Sequence, residues 1–223
     1  MKKYMTALIA LLVLLAVPLA YAAPDGATVT VGATERGTEN TAGTAATTAG
    51  NVTEVNVSGT AITTRWAGFF GNISAGLVLS DAANNKFYEW TVTDVSGSVV
   101  YAADAAVTDW STTNIVAATT ADMPAFLTGT TADNYTNTYN AQEAFTSSTY
   151  NIPNTNYVAT YSNGAAGNLK SYSLKATTEN ALIWAGKALN DETSFDGGQV
   201  DYQVLVPVDG TTSTTYNFYL ELP

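Results

Sequence analysis

An antiparallel all-β fold, a β-sandwich of immunoglobulin-like or jelly-roll-like plan with long loops and at most a short helix, is what this sequence predicts. Three observations carry that expectation. Apolar and polar residues alternate with a period of 2 in several separate stretches, clusters of Asn, Asp, Ser and Gly part those stretches roughly every 8–12 residues, and no long segment holds a helical period. A strand turns successive side chains to opposite faces, so a half-buried sheet leaves a period of 2 in its sequence.

The chain of 223 residues divides into three parts. Residues 1–22 read as a secretory signal peptide. Lys2 and Lys3 give a basic start, residues 6–20 are almost all apolar, and Ala20-Tyr21-Ala22 supplies the small-x-small cleavage site. That apolar run is shorter than the roughly 20 residues of a spanning helix. The expected product begins at Ala23, is extracellular and keeps no membrane span. Residues 23–50 hold an N-terminal strand and a flexible linker: Thr and Val alternate over residues 27–31, with Val29 and Val31 apolar, and residues 32–50 are nearly all small or polar. Residues 51–223 form the β-sandwich domain.

Within that domain, residues 52–58 and 61–66 are β-branched runs split by Ser58-Gly59. Over residues 72–80, Ile73, Ala75, Leu77 and Leu79 share a face, residues 81–85 are turn chemistry, and Tyr88, Trp90 and Val92 share a face of the returning strand at 87–93. A turn at residues 94–97 leads into a strand at 98–102, which would complete a three-strand antiparallel meander. Residues 115–127 accommodate a short helix kinked or started by Pro124, and residues 131–153 read as long loop or edge strand anchored by Tyr135, Tyr139, Phe145 and Tyr150. Residues 157–161, 170–176 and 181–185 are strands, the last also compatible with a helix to Leu189. The C-terminus reads as a hairpin. Val200, Tyr202, Val204, Val206 and Val208 face one way, Asp209-Gly210 turns, and Tyr216, Phe218, Leu220 and Leu222 answer from the partner strand. Leu77, Leu79, Tyr88, Trp90, Val92, Tyr202, Val204, Phe218 and Leu220 are expected in one core.

Composition limits the chemistry. With no His and no Cys, disulfides, thiol nucleophiles, Cys-based metal sites and the imidazole base are excluded. Loss of Lys2 and Lys3 with the signal leaves six basic against nineteen acidic groups, a formal charge of −13. Such a surface does not neutralise phosphates, so nucleic acid is not an expected partner. The carboxylates fall in no glycosidase-like motif, and Lys170 beside Ser171 does not make a dyad because strand neighbours point to opposite faces. No enzyme is expected.

The segment RWAGFFGNIS at residues 65–74, the piece Phe87-Tyr88-Glu89-Trp90, residues 132–139 (ADNYTNTY) and residues 201–207 (DYQVLVP) resemble a group of secreted archaeal cell-surface β-sandwich proteins. In overall plan the chain is also similar to archaeal bundling-pilus and thread subunits, which assemble by donating a strand to a neighbour. The resemblance attaches no activity to any residue. It implies that the partner is a second copy of the chain, with residues 27–31 as the donated strand and pockets for Val29 and Val31; pairing at the edge of its own domain is the alternative.

Candidate sites are of three kinds. Asn51, Asn56, Asn72 and Asn134 open N-x-[ST] sequons and are candidate glycosylation sites. Asp191, Glu192, Asp196 and Asp201, laced with Ser194, Gly197 and Gly198, place hard oxygens on a glycine-bent loop, as Ca2+ requires, although without EF-hand spacing. A solvated acidic loop is the other reading, and no further cofactor is expected. Trp66, Trp90, Trp110 and Trp184 are core residues or a sugar-stacking platform. The expected function is a secreted, non-enzymatic structural protein, a subunit of an extracellular filament, sheath or surface layer. A glycan-binding or adhesive extracellular module is the alternative.

Overall fold

Strand pairing in the computed structural model, which describes residues 23–210 and 212–223, is antiparallel throughout. In chain order the strands are β1 (Asp25–Gly26), β2 (Trp66–Gly71), β3 (Ala75–Ser80), β4 (Lys86–Val92), β5 (Val99–Ala103), β6 (Ile115–Ala117), β7 (Ala141–Thr146), β8 (Asn151–Ser162), β9 (Ala165–Ala176), β10 (Ala181–Lys187), β11 (Glu192–Thr193), β12 (Gln199–Val200), β13 (Tyr202–Pro207) and β14 (Asn217–Glu221). One short helix, α1 (Tyr135–Thr138), precedes β7. The expected sandwich-like all-β fold is what forms. An eight-stranded sheet has the order β1-β14-β5-β10-β9-β8-β7, with β6 beside β9, and the pair β2–β13 makes a second layer lying on β5, β10 and β9.

The centre of the large sheet is buried on both sides, which explains its sequence. All of β5 (VVYAA) and the first six residues of β10 (ALIWAG) are buried, so these strands read as apolar runs without alternation. One face carries Val99, Tyr101, Leu174 and Ile183 with Phe145 and Tyr172; the other carries Leu182 and Trp184 beneath Trp66, Tyr139, Val204 and Val206. Trp184 meets Trp66 edge-on at 5.8 Å and Tyr139 at 5.1 Å between ring centroids.

The sheet also curls. Beyond β7 the chain reaches back to β14, where the buried Glu221 carboxylate accepts hydrogen bonds from Ser147 Oγ at 2.9 Å, from the Thr149 amide at 2.6 Å and from the Tyr101 hydroxyl. Burial, and then the Glu221 charge, hold the Tyr101 phenol well above its ordinary pKa, so it stays a donor.

Residues 131–153 turn out as expected at their anchors: Tyr135, Tyr139, Phe145 and Tyr150 are all buried. Residues 115–127 depart from the short helix. They hold β6 and two 3-10 turns, Thr120–Asp122 and Ala125–Leu127, with Pro124 opening the second. Lys175 of β9 clasps the first turn through Asp122 at 2.7 Å. Burial raises the Asp122 pKa, but the hydrogen bonds from Lys175 and Thr119 and the Lys175 charge outweigh it and bring the group to about 2. A depressed acid stabilises the fold above its unfolded value, so this contribution is present above about pH 4 and is lost as pH falls toward 2. Asp122→Asn is expected to remove part of the acid-side slope of stability between pH 4 and 2. An unchanged slope in acid titrations of melting temperature would show that the pair is fully screened.

Three further expectations are corrected. Residues 52–58 and 61–65 form no strand; the first long strand begins at Trp66. The meander does not form, because β5 leaves β4 and inserts between β10 and β14. The C-terminal hairpin does not form either: β13 pairs with β2 and β14 pairs with β5 and β1, so the connection between them crosses from one layer to the other. In each case alternation marks a strand and its faces, while the partner is chosen by tertiary packing.

Candidate functional site

The ribbon β3–β4 stands apart from both layers. Its strands pair with each other, with Ala75 opposite Val92, Leu77 opposite Trp90 and Leu79 opposite Tyr88, and among the described residues neither pairs with any other strand. The turn is built by Asp81, whose carboxylate accepts from the amides of Ala83 at 2.9 Å and Asn85 at 2.8 Å. A further bond from the Asn85 side chain at 2.8 Å is the main cause of a lowered Asp81 pKa, and the two amide bonds add to it. Asn84 sits at φ 63°, in the left-handed region that Asn tolerates.

The ribbon is amphipathic, and its apolar face is uncovered. Leu77, Leu79, Tyr88 and Trp90 line one face at 49%, 50%, 57% and 49% exposure. On the opposite side Val78 faces Glu89, and Lys86 pairs with Glu89 at 2.9 Å. An irregularity at Leu79/Ser80 leaves Phe87 without a cross-strand partner and strongly exposed. This corrects the expectation that Leu77, Leu79, Tyr88 and Trp90 share the core with Val204. They do share a face, as the period says, but among the described residues nothing covers more than about half of it. Val204 is buried as expected, and Tyr202 and Phe218 pack against its cluster. Trp90→Ala is therefore expected to cost under about 1 kcal/mol in chemical denaturation of the dilute protein, the range of surface changes; a loss of 3 kcal/mol or more would place Trp90 in a core. Tyr88 and Trp90 meet edge to face at 4.8 Å and 62°, so the two rings present no common flat platform.

The acidic residues do not converge. Asp201 is buried, and its carboxylate accepts from the Ile73 amide at 2.7 Å and the Asp191 amide at 3.1 Å, which ties the base of the ribbon to the start of β13. Asp191 occupies the left-handed region at φ 52°. Glu192 accepts from Asn168 at 3.4 Å, and Asp196 accepts from the Gly198 amide at 3.0 Å and from the Ser194 hydroxyl. The Ser194 bond is the main cause of a lowered Asp196 pKa. Among the described residues no three acidic side chains approach closely enough to hold one cation, so the expected Ca2+ ligand set of Asp191, Glu192, Asp196 and Asp201 is not assembled. Density in sequence is not convergence in space: Asp196 braces its own turn, Asp201 ties the ribbon to β13, and Glu192 meets Asn168 of β9.

Of the sequons, Asn51, Asn56 and Asn72 are exposed. Asn134 is half-buried and works as a helix cap: its side-chain oxygen accepts from the Asn137 amide at 2.8 Å and its Nδ2 donates to the Gly129 carbonyl at 2.8 Å. A glycan on Nδ2 competes with that second bond. Asn134→Ala is expected to cost about 1 kcal/mol, the usual value of an N-cap, and an unchanged urea midpoint would refute the role.

The N-terminal strand is displaced from its expected place. β1 pairs Asp25 with Leu220 and Gly26 with Tyr219, Ala27 donates to the Phe218 carbonyl at 3.0 Å, and residues 27–31 form no strand. Val29 and Val31 are exposed. The chain thus docks at the edge of its own sheet. At the far end of the exposed segment, Thr63 donates to Asp133 at 2.8 Å and Arg65 pairs with it at 3.5 Å.

Lys170 and Ser171 do point apart: Lys170 pairs with Glu143 at 2.7 Å, while Ser171 and Ser173 bond the hydroxyls of Tyr139 and Tyr135 at 2.8 and 2.6 Å. Among the described residues no helix is long and apolar enough to cross a membrane. The signal-peptide expectation, on residues 1–22, lies outside the described residues. Comparisons with protein-family models, with curated proteins and with solved structures gave no match.

Proposed function

We propose that this chain is a secreted, non-enzymatic structural subunit of a cell-surface assembly: a filament, sheath or layer. The observation that supports it is the ribbon β3–β4, which presents an apolar face to solvent and rests on no other strand among the described residues. An isolated two-stranded ribbon is marginally stable in water, and a contiguous apolar patch marks a surface that another protein completes. The exposed sequons at Asn51, Asn56 and Asn72 suit a glycosylated outer surface. The test is size. Protein lacking residues 1–22 is expected to sediment as a species larger than a monomer, and shearing of native cells to release particles visible by negative stain. Monomer at every concentration, with no such particles, would sink the reading.

Binding of glycan is the second reading, and the exposure of Tyr88 and Trp90 favours it. Their edge-to-face arrangement weighs against it, since sugar rings stack on flat aromatic faces.

A further inference from the structure

We infer that the apolar face of the β3–β4 ribbon packs against the same face of a second copy, about a two-fold axis running along the ribbon. The inference rests on the reading of the chain as an assembling subunit and names the surface and the partner.

The residue distribution is self-complementary. Aliphatic Leu77 and Leu79 lie on β3, aromatic Trp90 and Tyr88 lie on β4, and each aliphatic residue stands directly opposite an aromatic one. Rotation by half a turn about an axis parallel to the strands keeps height along the ribbon and exchanges left with right. The operation therefore lays β3 over the partner's β4. Leu77 then faces the partner's Trp90 and Leu79 faces the partner's Tyr88, with the reverse contacts made at the same time, as a two-fold interface demands. The edge-to-face rings leave a ridged surface into which leucines fit better than a flat ring does.

Charge favours this partner as well. The chain has a net charge of −11, but the apolar face carries no ionisable group except the Tyr88 phenol. Lys86 and Glu89 neutralise each other, with Glu89 on the opposite face, so two copies meet there without like charges in contact. An oppositely charged partner finds nothing on this face to hold.

Area sets the strength of the contact. A buried aromatic side chain covers roughly 150–250 Å2. Half-exposed Tyr88 and Trp90 with the two leucines then offer a pair of copies a contact of roughly 700 Å2, the size of a weak, concentration-dependent association. Face-to-face packing would also give each ribbon the second layer it lacks, at the spacing of about 10 Å usual for stacked sheets.

The chain has no cysteine, so an introduced thiol is unique. Leu77→Cys in the secreted protein, treated with a bismaleimide spanning about 10 Å, is expected to give a covalent dimer, whereas Val78→Cys on the other face gives none. Trp90→Glu is expected to weaken association at least tenfold while circular dichroism and melting of the monomer stay unchanged, because the ribbon lies outside the core. Should Trp90→Glu fail to fold, the Leu77→Cys cross-link still decides. Assemblies that form with no Leu77 cross-link and full tolerance of Trp90→Glu would overturn the inference and leave the subunit reading standing. A protein that is monomeric throughout, whether or not neutral oligosaccharides quench its tryptophan fluorescence, would overturn both.

Discussion

Replacing Glu221 with alanine is expected to lower stability by about 3–5 kcal/mol. This carboxylate is 1% exposed and has three donors, the Tyr101 hydroxyl, Ser147 Oγ and the Thr149 amide. Removing it strands the buried Tyr101 hydroxyl and leaves Ser147 and Thr149 seeking water, and each buried orphan costs about 1–3 kcal/mol. Glu221→Gln keeps the shape and an acceptor for Thr149, so its cost is expected to be about half as large. Urea denaturation with an unchanged m-value measures both. A Glu221→Ala loss below about 1 kcal/mol would mean that the curl from β7 to β14 holds without this bridge.

Trp184→Ala is expected to cost about 3–5 kcal/mol for a different reason: it opens a cavity where Trp66, Tyr135 and Tyr139 converge. Among the described residues the indole nitrogen of Trp184 has no hydrogen-bond partner, so Trp184→Phe forfeits packing but no bond. The phenylalanine variant should therefore retain more than half of what alanine loses. Equal losses for the two would show that the nitrogen matters, through a water or an acceptor. Beside Trp90→Ala, at under about 1 kcal/mol, this contrast separates the tryptophan of the core from that of the ribbon.

From residue 66 onward the sequence showed where most strands run and which of their side chains share a face, whereas the alternating or β-branched runs at 27–31, 52–58 and 61–65 form no strand. Tyr88 and Trp90 do lie on one side of β4, and Tyr202 and Phe218 do turn toward the interior. It did not show what lies opposite. A period of 2 is the same for a strand facing a core and for one facing solvent or a second molecule, so the uncovered ribbon looked like core. The C-terminal strands were found for the same reason and paired wrongly for the same reason. Central strands β5 and β10 were legible as strands by their β-branched and aromatic content, but their depth was not, since an apolar run does not say how many layers cover it. The acidic residues failed on distance: Asp191 and Asp201 touch through a backbone amide, not through a shared ligand. Glu221 gave no signal at all, being one carboxylate among nineteen near a C-terminus. What distinguishes it is the curl of the sheet, which no local pattern encodes.

The position of β5 has a consequence for the order in which the protein acquires its structure. This strand lies between β10 and β14, and its Tyr101 bonds a residue 120 positions later in the chain. The middle of the sheet is thus assembled from partners synthesised about 80 and 115 residues after β5. Such remote pairing raises contact order and slows folding toward the millisecond-to-second range, because loop closure costs entropy before any contact repays it. A chain leaving its site of synthesis N-terminus first has a β5 with neither neighbour for most of that passage. The order β14-β5-β10 at the centre of the sheet is completed only when residues 217–221 have emerged, although β7, β8, β9 and β10 can pair with one another before that.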